Sequence, residues 1–406
     1  MALLHLPLNS IDEVHLTRLI EAQAGEARDI EYKRETYGNA DADRAEWLAD
    51  VSSFANTAGG DLLFGISAKK GVPQALSPLT GSADDEILRL EQLARSGLQP
   101  RISNLEFRSI PIAAGGYVLL VRVPRSFNPP HRVIRQGKGQ NRFWARSSAG
   151  KYEPNVDELR NLFTLAPQLI DRIRDFRANR IAQIVARQAP VTLLDQTCMI
   201  LHIVPFSAFD PRSLISLGKI EESPGQFPPL GSSSARAWRV NFDGILRLSD
   251  ADENAPSQRA YVQVFRSGVV EAVASAIAAD DRPEGVPPRL LSLKIEGMML
   301  HNGVRYLKSL AEQGVEPPYA ILLSLIGVRG AAINVGVQMH WADDDDMTIL
   351  DRDQLHFAEV ILESVPRSSQ ELGVMLRPLI EQIANAAGRA KSSSYGPNGE
   401  YVHLFR

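Results

Sequence analysis

The sequence predicts an α+β protein of two domains, each with its own core. Its 406 residues exceed what one hydrophobic core commonly organises. At 44% hydrophobic residues, each half can bury a core. Apolar patterns of period two and period 3.6 arrive in runs rather than in strict alternation, which favours α+β over a doubly wound α/β fold. We find no internal repeat of about 20–50 residues. The boundaries expected are 1–165 for the first domain, 166–190 for a helical linker and 191–406 for a second α+β domain.

Residues 10–24 read as a short helix, with Ser10 as cap, Glu13 at capping-box spacing and Val14, Leu16, Leu19 and Ile20 as its stripe. Residues 29–34 fit a strand. The clearest helix covers 41–58, where Trp47, Leu48, Val51, Phe54 and Ala55 share one face. Asp41 and Asp43 suit its positive N-terminal end, and Gly59-Gly60 can close it. A buried strand over 62–67, a helix near 83–96 and a hairpin of 105–112 with 117–124 follow. Residues 125–141 read as a basic loop, 141–146 as a strand, and 154–187 as a helical stretch interrupted at Pro167. Beyond it, 197–206, 236–248, 260–273, 319–328 and 355–364 read as strands, and 289–313 and 370–387 as helices.

The single cysteine, Cys198, excludes a disulfide framework and sits in an apolar run as a buried thiol would. No apolar run approaches the roughly 18 residues of a membrane span, and the N-terminus lacks the pattern of a signal peptide. A cytoplasmic protein with no membrane partner is expected. The net charge of −4 hides an uneven distribution. Residues 122–187 hold 14 Lys and Arg against 5 Asp and Glu, a net of +9, leaving −13 for the remainder.

Two signals carry chemistry. Glu26 and Glu31 stand five positions apart, with Lys33 and Arg34 just beyond. Within one strand that spacing puts them on opposite faces, so convergence requires Glu26 in the loop before the strand, where Gly25 eases the bend. Converging carboxylates suit a divalent metal for phosphodiester cleavage. The plain alternative is that Glu26 is a solvated loop acid while Glu31 pairs with Arg34 or Lys33. The second signal is the basic segment with Arg122, Arg125, Arg132, Arg135, Lys138, Arg142 and Arg146 around Phe143 and Trp144. Guanidinium groups can grip phosphates and an exposed aromatic can stack a base. By alternation only one of Phe143 and Trp144 is available for stacking. A solvated basic hairpin is the plain alternative. His131, in a Pro-Pro-His turn, reads equally well as a turn-stabilising residue. Asp343–Asp346 reads as a solvated acidic loop, lacking the other ligands of a calcium loop. No Walker loop, nucleophile elbow or His-Glu-x-x-His occurs.

Glu-Tyr-Lys-Arg at 31–34, Phe-Ala-Asn-Thr-Ala-Gly-Gly at 54–60, Leu-Leu-Phe-Gly-Ile at 62–66, Val-Pro-Arg-Ser-Phe-Asn-Pro-Pro-His at 123–131 and Arg-Phe-Trp-Ala-Arg-Ser-Ser at 142–148 occur in this order. Together they resemble the AlbA_2 domain of the Schlafen family over roughly the first 165 residues. The resemblance implies a mixed sheet with flanking helices and nucleic-acid binding. It also implies, for some members, metal-dependent endoribonuclease activity on transfer RNA in antiviral defence. Under it Glu26 and Glu31 would be catalytic and would hold Mg²⁺ or Mn²⁺. Lys33, Arg34, Arg125, Arg132, Arg135, Lys138, Arg142 and Arg146 would contact RNA, transfer RNA before DNA. The family's third acid, expected after the second strand, is absent: the segment reads Gly65-Ile66-Ser67-Ala68-Lys69. Glu46 and Asp50 are candidate substitutes. That departure keeps a non-catalytic DNA- or RNA-binding regulator open beside the nuclease, with antiphage defence as its expected setting. Vertebrate Schlafen cores pair two related lobes, and one copy is visible here, so a homodimer is expected.

Overall fold

The computed structural model describes all residues except 1–2, 4–5, 103, 135–140, 211–212, 224, 251, 253–254, 279–286, 335–347 and 403–406. The fold is α+β, and the chain divides into two compact units, Met1–Gln168 and Leu169–Arg406.

The first unit contains α1 (Glu13–Glu21), β1 (Ile30–Lys33), α2 (Asp41–Ala55), β2 (Gly60–Phe64), β3 (Ile66–Lys69), β4 (Val72–Leu76), α3 (Ala83–Gly97), β5 (Leu98–Gln99), β6 (Glu106–Pro111), β7 (Tyr117–Val123), β8 (Arg132–Val133), β9 (Arg142–Phe143), β10 (Ala145–Ser147), β11 (Gly150–Tyr152) and the first part of α4 (Val156–Val185). Its central sheet is mixed, in the order β1-β2-β7-β6, with β1 parallel to β2 and the other pairs antiparallel. Alternation along β2 and β7 feeds two cores. Leu62, Phe64, Leu119 and Val121 join Trp47, Val51 and Phe54 of α2 on one face. Leu63, Val118 and Leu120 join Leu16 and Leu19 of α1 on the other. Helix α2 buries more than its apolar stripe, since Asp50, Ser52 and Ser53 are buried too.

The second unit adds β12 (Cys198–Pro205), α5 (Leu217–Glu221), β13 (Ala237–Val240), β14 (Gly244–Leu248), β15 (Ala260–Phe265), β16 (Val270–Ser275), β17 (Arg289–Leu291), α6 (Ser292–Glu312), β18 (Tyr319–Ile326), β19 (Ala332–Asn334), β20 (Gln354–His356), β21 (Val360–Leu362), α7 (Ser369–Met375) and α8 (Arg377–Ala386). An eight-stranded antiparallel sheet runs β13-β14-β15-β16-β12-β18-β20, with β21 also on β18. Ile181 and Ile184 of α4 pack on one face of it, and α6, α7 and α8 on the other.

Several boundaries differ from expectation. Asp12, not Ser10, caps α1, accepting from His15 N, while Ser10 Oγ donates to Pro7 O. Pro167 lies inside an unbroken α4, so the missing N–H did not end the helix. The expected strands 236–248 and 260–273 are each a hairpin, turned at Asp243-Gly244 and Ser267-Gly268, dipeptides that favour turns. Residues 66–76 form the unforeseen hairpin β3–β4. The last helix breaks after Met375, where Pro378 cannot donate to Val374. The Asp343–Asp346 loop lies outside the described residues.

Arginines of α4 hold the second sheet and the segment that joins two of its strands. Arg180 holds Glu271 through Nε and Nη2, both at 2.8 Å, and the same carboxylate accepts from Tyr261 Oη at 2.9 Å and His202 Nε2 at 3.0 Å. Arg174 pairs with Glu359, and Arg177 donates to Phe357 O at 2.8 Å. Burial alone would raise the fully buried Glu271 carboxyl, but the bonds from Arg180 and His202 overcome it and hold the pKa at about 2. A depressed carboxyl stabilises the fold above its unfolded value, so this contribution is complete above about pH 4.5 and is lost as pH falls towards 2. Arg180→Met strands the buried charge and should cost about 3–5 kcal/mol in urea unfolding of the full chain. Adding Glu271→Gln should recover part of that loss and flatten the acid limb of the stability curve.

Candidate nucleic-acid interface around an ion-paired acid cluster

The site begins with Asn56, just past the end of α2. Its Nδ2 donates to the carbonyls of His131 at 3.0 Å and Trp144 at 2.9 Å, and its Oδ1 accepts from His131 N at 2.6 Å. Ser126 N donates to Ala55 O at 2.9 Å, and Arg146 N to Thr57 Oγ1 at 3.0 Å. One helix terminus thus ties down two distant stretches. Gly59 completes the tie: its φ is +73°, and a Cβ there would lie 2.7 Å from Arg125 N. His131 is buried and neutral, because burial depresses its pKa. Nδ1–H donates to Pro100 O and Nε2 accepts from Ser126 Oγ, both at 2.7 Å. It holds the turn.

The tie delivers Arg146 to the acids. Its buried guanidinium pairs with Glu31 Oε2 and lies 4.3 Å from the centre of the Phe54 ring. Glu31 Oε1 takes Lys33 Nζ at 2.6 Å. Lys33 also lies 3.6 Å from Asp50, which accepts from Tyr37 Oη and, at 2.8 Å, from Lys151 Nζ. Lys151 further pairs with Glu46. Burial and the adjoining Asp50 push the Tyr37 phenol far up, so it stays a donor. Desolvation opposes the charge on Lys33, but Asp50 and Glu31 outweigh it and raise its pKa.

Glu26 occupies the turn before β1, with Tyr32 N 3.4 Å from its Oε1. Partial burial and then the neighbouring Glu31 charge raise its pKa; Tyr32 N–H, Lys33 and Arg146 act the other way. Glu26 and Glu31 are therefore electrostatic neighbours. Among the described residues, no group of three His, Cys, Asp or Glu side chains is arranged to hold a metal ion. Both oxygens of Glu31 and both of Asp50 face protein donors. As arranged, these residues do not fit a divalent metal. Ser67 Oγ donates to Ala75 O within the β3–β4 hairpin, and Asp61 forms a two-pronged pair with Arg122 at 2.8 and 2.9 Å. Neither reaches the cluster's acids.

The basic residues separate. Arg146 is buried in the cluster, Arg132 donates to Gln99 Oε1 at 2.9 Å, and Arg142 pairs with Glu153. Arg125 is half-buried and engaged. Arg34 is exposed. Arg135 and Lys138 lie outside the described residues. Trp144 packs on the core, and Phe143 meets Phe163 edge to face at 5.8 Å. Sequence reasoning passed over Tyr37 and Lys151 as functional residues, and their only signal was proximity to motif residues.

Asn56→Ala removes three hydrogen bonds and leaves buried His131 N–H and two carbonyls without their partner. It should lower stability by at least about 2 kcal/mol. Hydrogen exchange should show the fastest gain at the amides of His131 and Arg146.

Comparison with protein families matches the Schlafen AlbA_2 model to residues 26–155. Comparison with curated proteins finds no match. Among solved structures, the DIP2311 protein from Corynebacterium diphtheriae is similar at 16% identity and TM-score 0.25, over 37% of this chain and 28% of that one. The chain thus spans less than a third of that relative. The N-terminal domain of an ATP-dependent DNA helicase RecG-related protein from Nitrosomonas europaea is similar at 22% identity and TM-score 0.26, over 34% of this chain and 92% of that one. The motifs that Asn56 ties together all fall inside the matched stretch, and the protein carries a Schlafen AlbA_2 domain across residues 26–155.

Proposed function

We propose that the protein binds nucleic acid through its first unit and does so without cleaving it. The AlbA_2 domain supports the ligand class. The observation that carries the rest is the pairing of Glu31, Glu46 and Asp50 with Lys33, Arg146 and Lys151. A polyanion approaching this cluster meets acids already neutralised, so the repulsion an open carboxylate cluster would exert is largely cancelled. The family resemblance favours RNA, transfer RNA included, over DNA. Two copies of the chain would supply the two lobes of a clamp.

A second reading, a metal-dependent endoribonuclease acting on transfer RNA, draws on the coupling of Glu26 to Glu31. It requires Lys33 or Arg146 to release Glu31 when substrate arrives.

One titration set separates the readings. Full-length protein should bind labelled transfer RNA with an affinity that falls steeply and log-linearly with salt. It should leave the RNA intact in Mg²⁺ or Mn²⁺, and sediment at twice the monomer mass. Nicking by the native chain that Glu26→Gln abolishes would install the nuclease instead. That substitution disturbs none of the ion pairs above. Failure to bind any polynucleotide at low salt would remove both.

A further inference from the structure

We infer that a single-stranded stretch of nucleic acid runs along an exposed track outside the paired cluster: Lys69 and Lys70 on the β3–β4 hairpin, Arg28 beside Glu26, and Tyr152 at the end of β11. This rests on the nucleic-acid reading above and adds where the polymer lies and in what form. The track is not the basic segment that the sequence brings forward.

Its continuity follows from backbone contacts. Lys70 and Gly71 form a two-residue hairpin connection, both left-handed at φ +53° and +74°. Glu26 N donates to Gly71 O at 2.6 Å, and a Cβ on Gly71 would lie 3.1 Å from Glu26 Oε2. The hairpin tip is therefore pinned against Glu26. A bridge from Ala27 to Ile30 then closes a tight turn with Arg28 and Asp29 at its apex. Asp29 O accepts from Asp61 N of β2 at 2.9 Å, which fixes Asp29 to the sheet. Arg146 Nε lies 3.5 Å from Ala27 O, beside Arg28, and Arg146 pairs across β10–β11 with Lys151, whose neighbour is Tyr152. Tyr152 Oη donates to Glu158 at 2.9 Å, which holds a ring that is 38% exposed.

Availability distinguishes this track. Among the described residues, Arg28, Lys69 and Lys70 are exposed and form no ion pair or hydrogen bond through their side chains. Arg132, Arg142 and Arg146 each already hold a protein acceptor. A free cation gains a phosphate contact and releases counterions, whereas a paired one must first break a bond. A tethered aromatic ring accepts a base by stacking, which requires that base to be unpaired. Arg28 between the lysines and Tyr152 joins the phosphate-holding part to the base-holding part.

The test uses the full chain, an unstructured RNA 20-mer and a duplex of the same sequence, titrated over a range of salt. Lys69→Glu with Lys70→Glu, and separately Arg28→Glu, should weaken binding of the 20-mer. The double variant should also reduce the log–log salt slope by about 1.4, since each lost phosphate contact contributes roughly 0.7. Tyr152→Ala should lose about ten-fold for the single strand, and Tyr152→Phe should retain affinity. Arg95→Glu on α3 serves as the charge-matched control, and thermal midpoints check folding. Binding unchanged in the lysine and Arg28 variants, or a duplex held as tightly as the single strand with Tyr152→Ala harmless, overturns the track and leaves the general reading intact. A native chain that binds no polynucleotide overturns both.

Discussion

The hydrogen bonds of Asn56 are the constraint on which the first unit's chemistry depends. Two carbonyls and one amide from residues more than seventy positions away converge on a single side-chain amide at a helix terminus. A buried backbone group without a partner is expensive, so the backbone at Ser126, His131, Trp144 and Arg146 has little freedom to depart from this arrangement. Arg146 reaches Glu31 because its own backbone is held at Thr57. Gly59 matters for the same reason, since any Cβ would push Arg125 and Val123 away from the turn.

Once placed, the charges form a closed set. Glu31 is shared between Lys33 and Arg146, Asp50 between Tyr37 and Lys151, and Lys33 reaches towards both acids. Desolvating such groups is unfavourable, and only mutual satisfaction offsets it. The second unit solves the same problem around Glu271, which meets Arg180, His202 and Tyr261. The difference lies at the margin. Glu271 is sealed within its unit, whereas the first cluster borders half-exposed Glu26, whose carboxyl is pushed up by burial and by Glu31.

Much of the architecture was readable along the chain. The stripe of Trp47, Leu48, Val51, Phe54 and Ala55 gave α2, and the apolar runs around Leu62–Phe64 and Val118–Val121 gave the central strands, because burial demands those periods. Hairpins at Asp243-Gly244 and Ser267-Gly268 carry their signal in two letters each, and the flanking apolar pattern continues across them as it would in one longer strand. Pro167 misleads in the other direction: a proline predicts a break, yet the helix runs on through it. The candidate site was legible in part: Glu31, Lys33 and Arg146 pair and Glu26 feels their charges from the turn before β1, but Arg132 and Arg142 are spent elsewhere on the surface.

Residue type and spacing alone determined the fold class, the buried stripes and the presence of acids and cations in the right order. Those follow from local periodicity, which each segment expresses without its neighbours. Partnership was decided only by the tertiary structure: whether Glu31 faces a metal or Arg146, and whether an arginine is free or occupied. Coulomb attraction and hydrogen bonding act over a few ångströms, and the groups within that reach come from segments such as 31–33, 50 and 146–151, which only folding brings together.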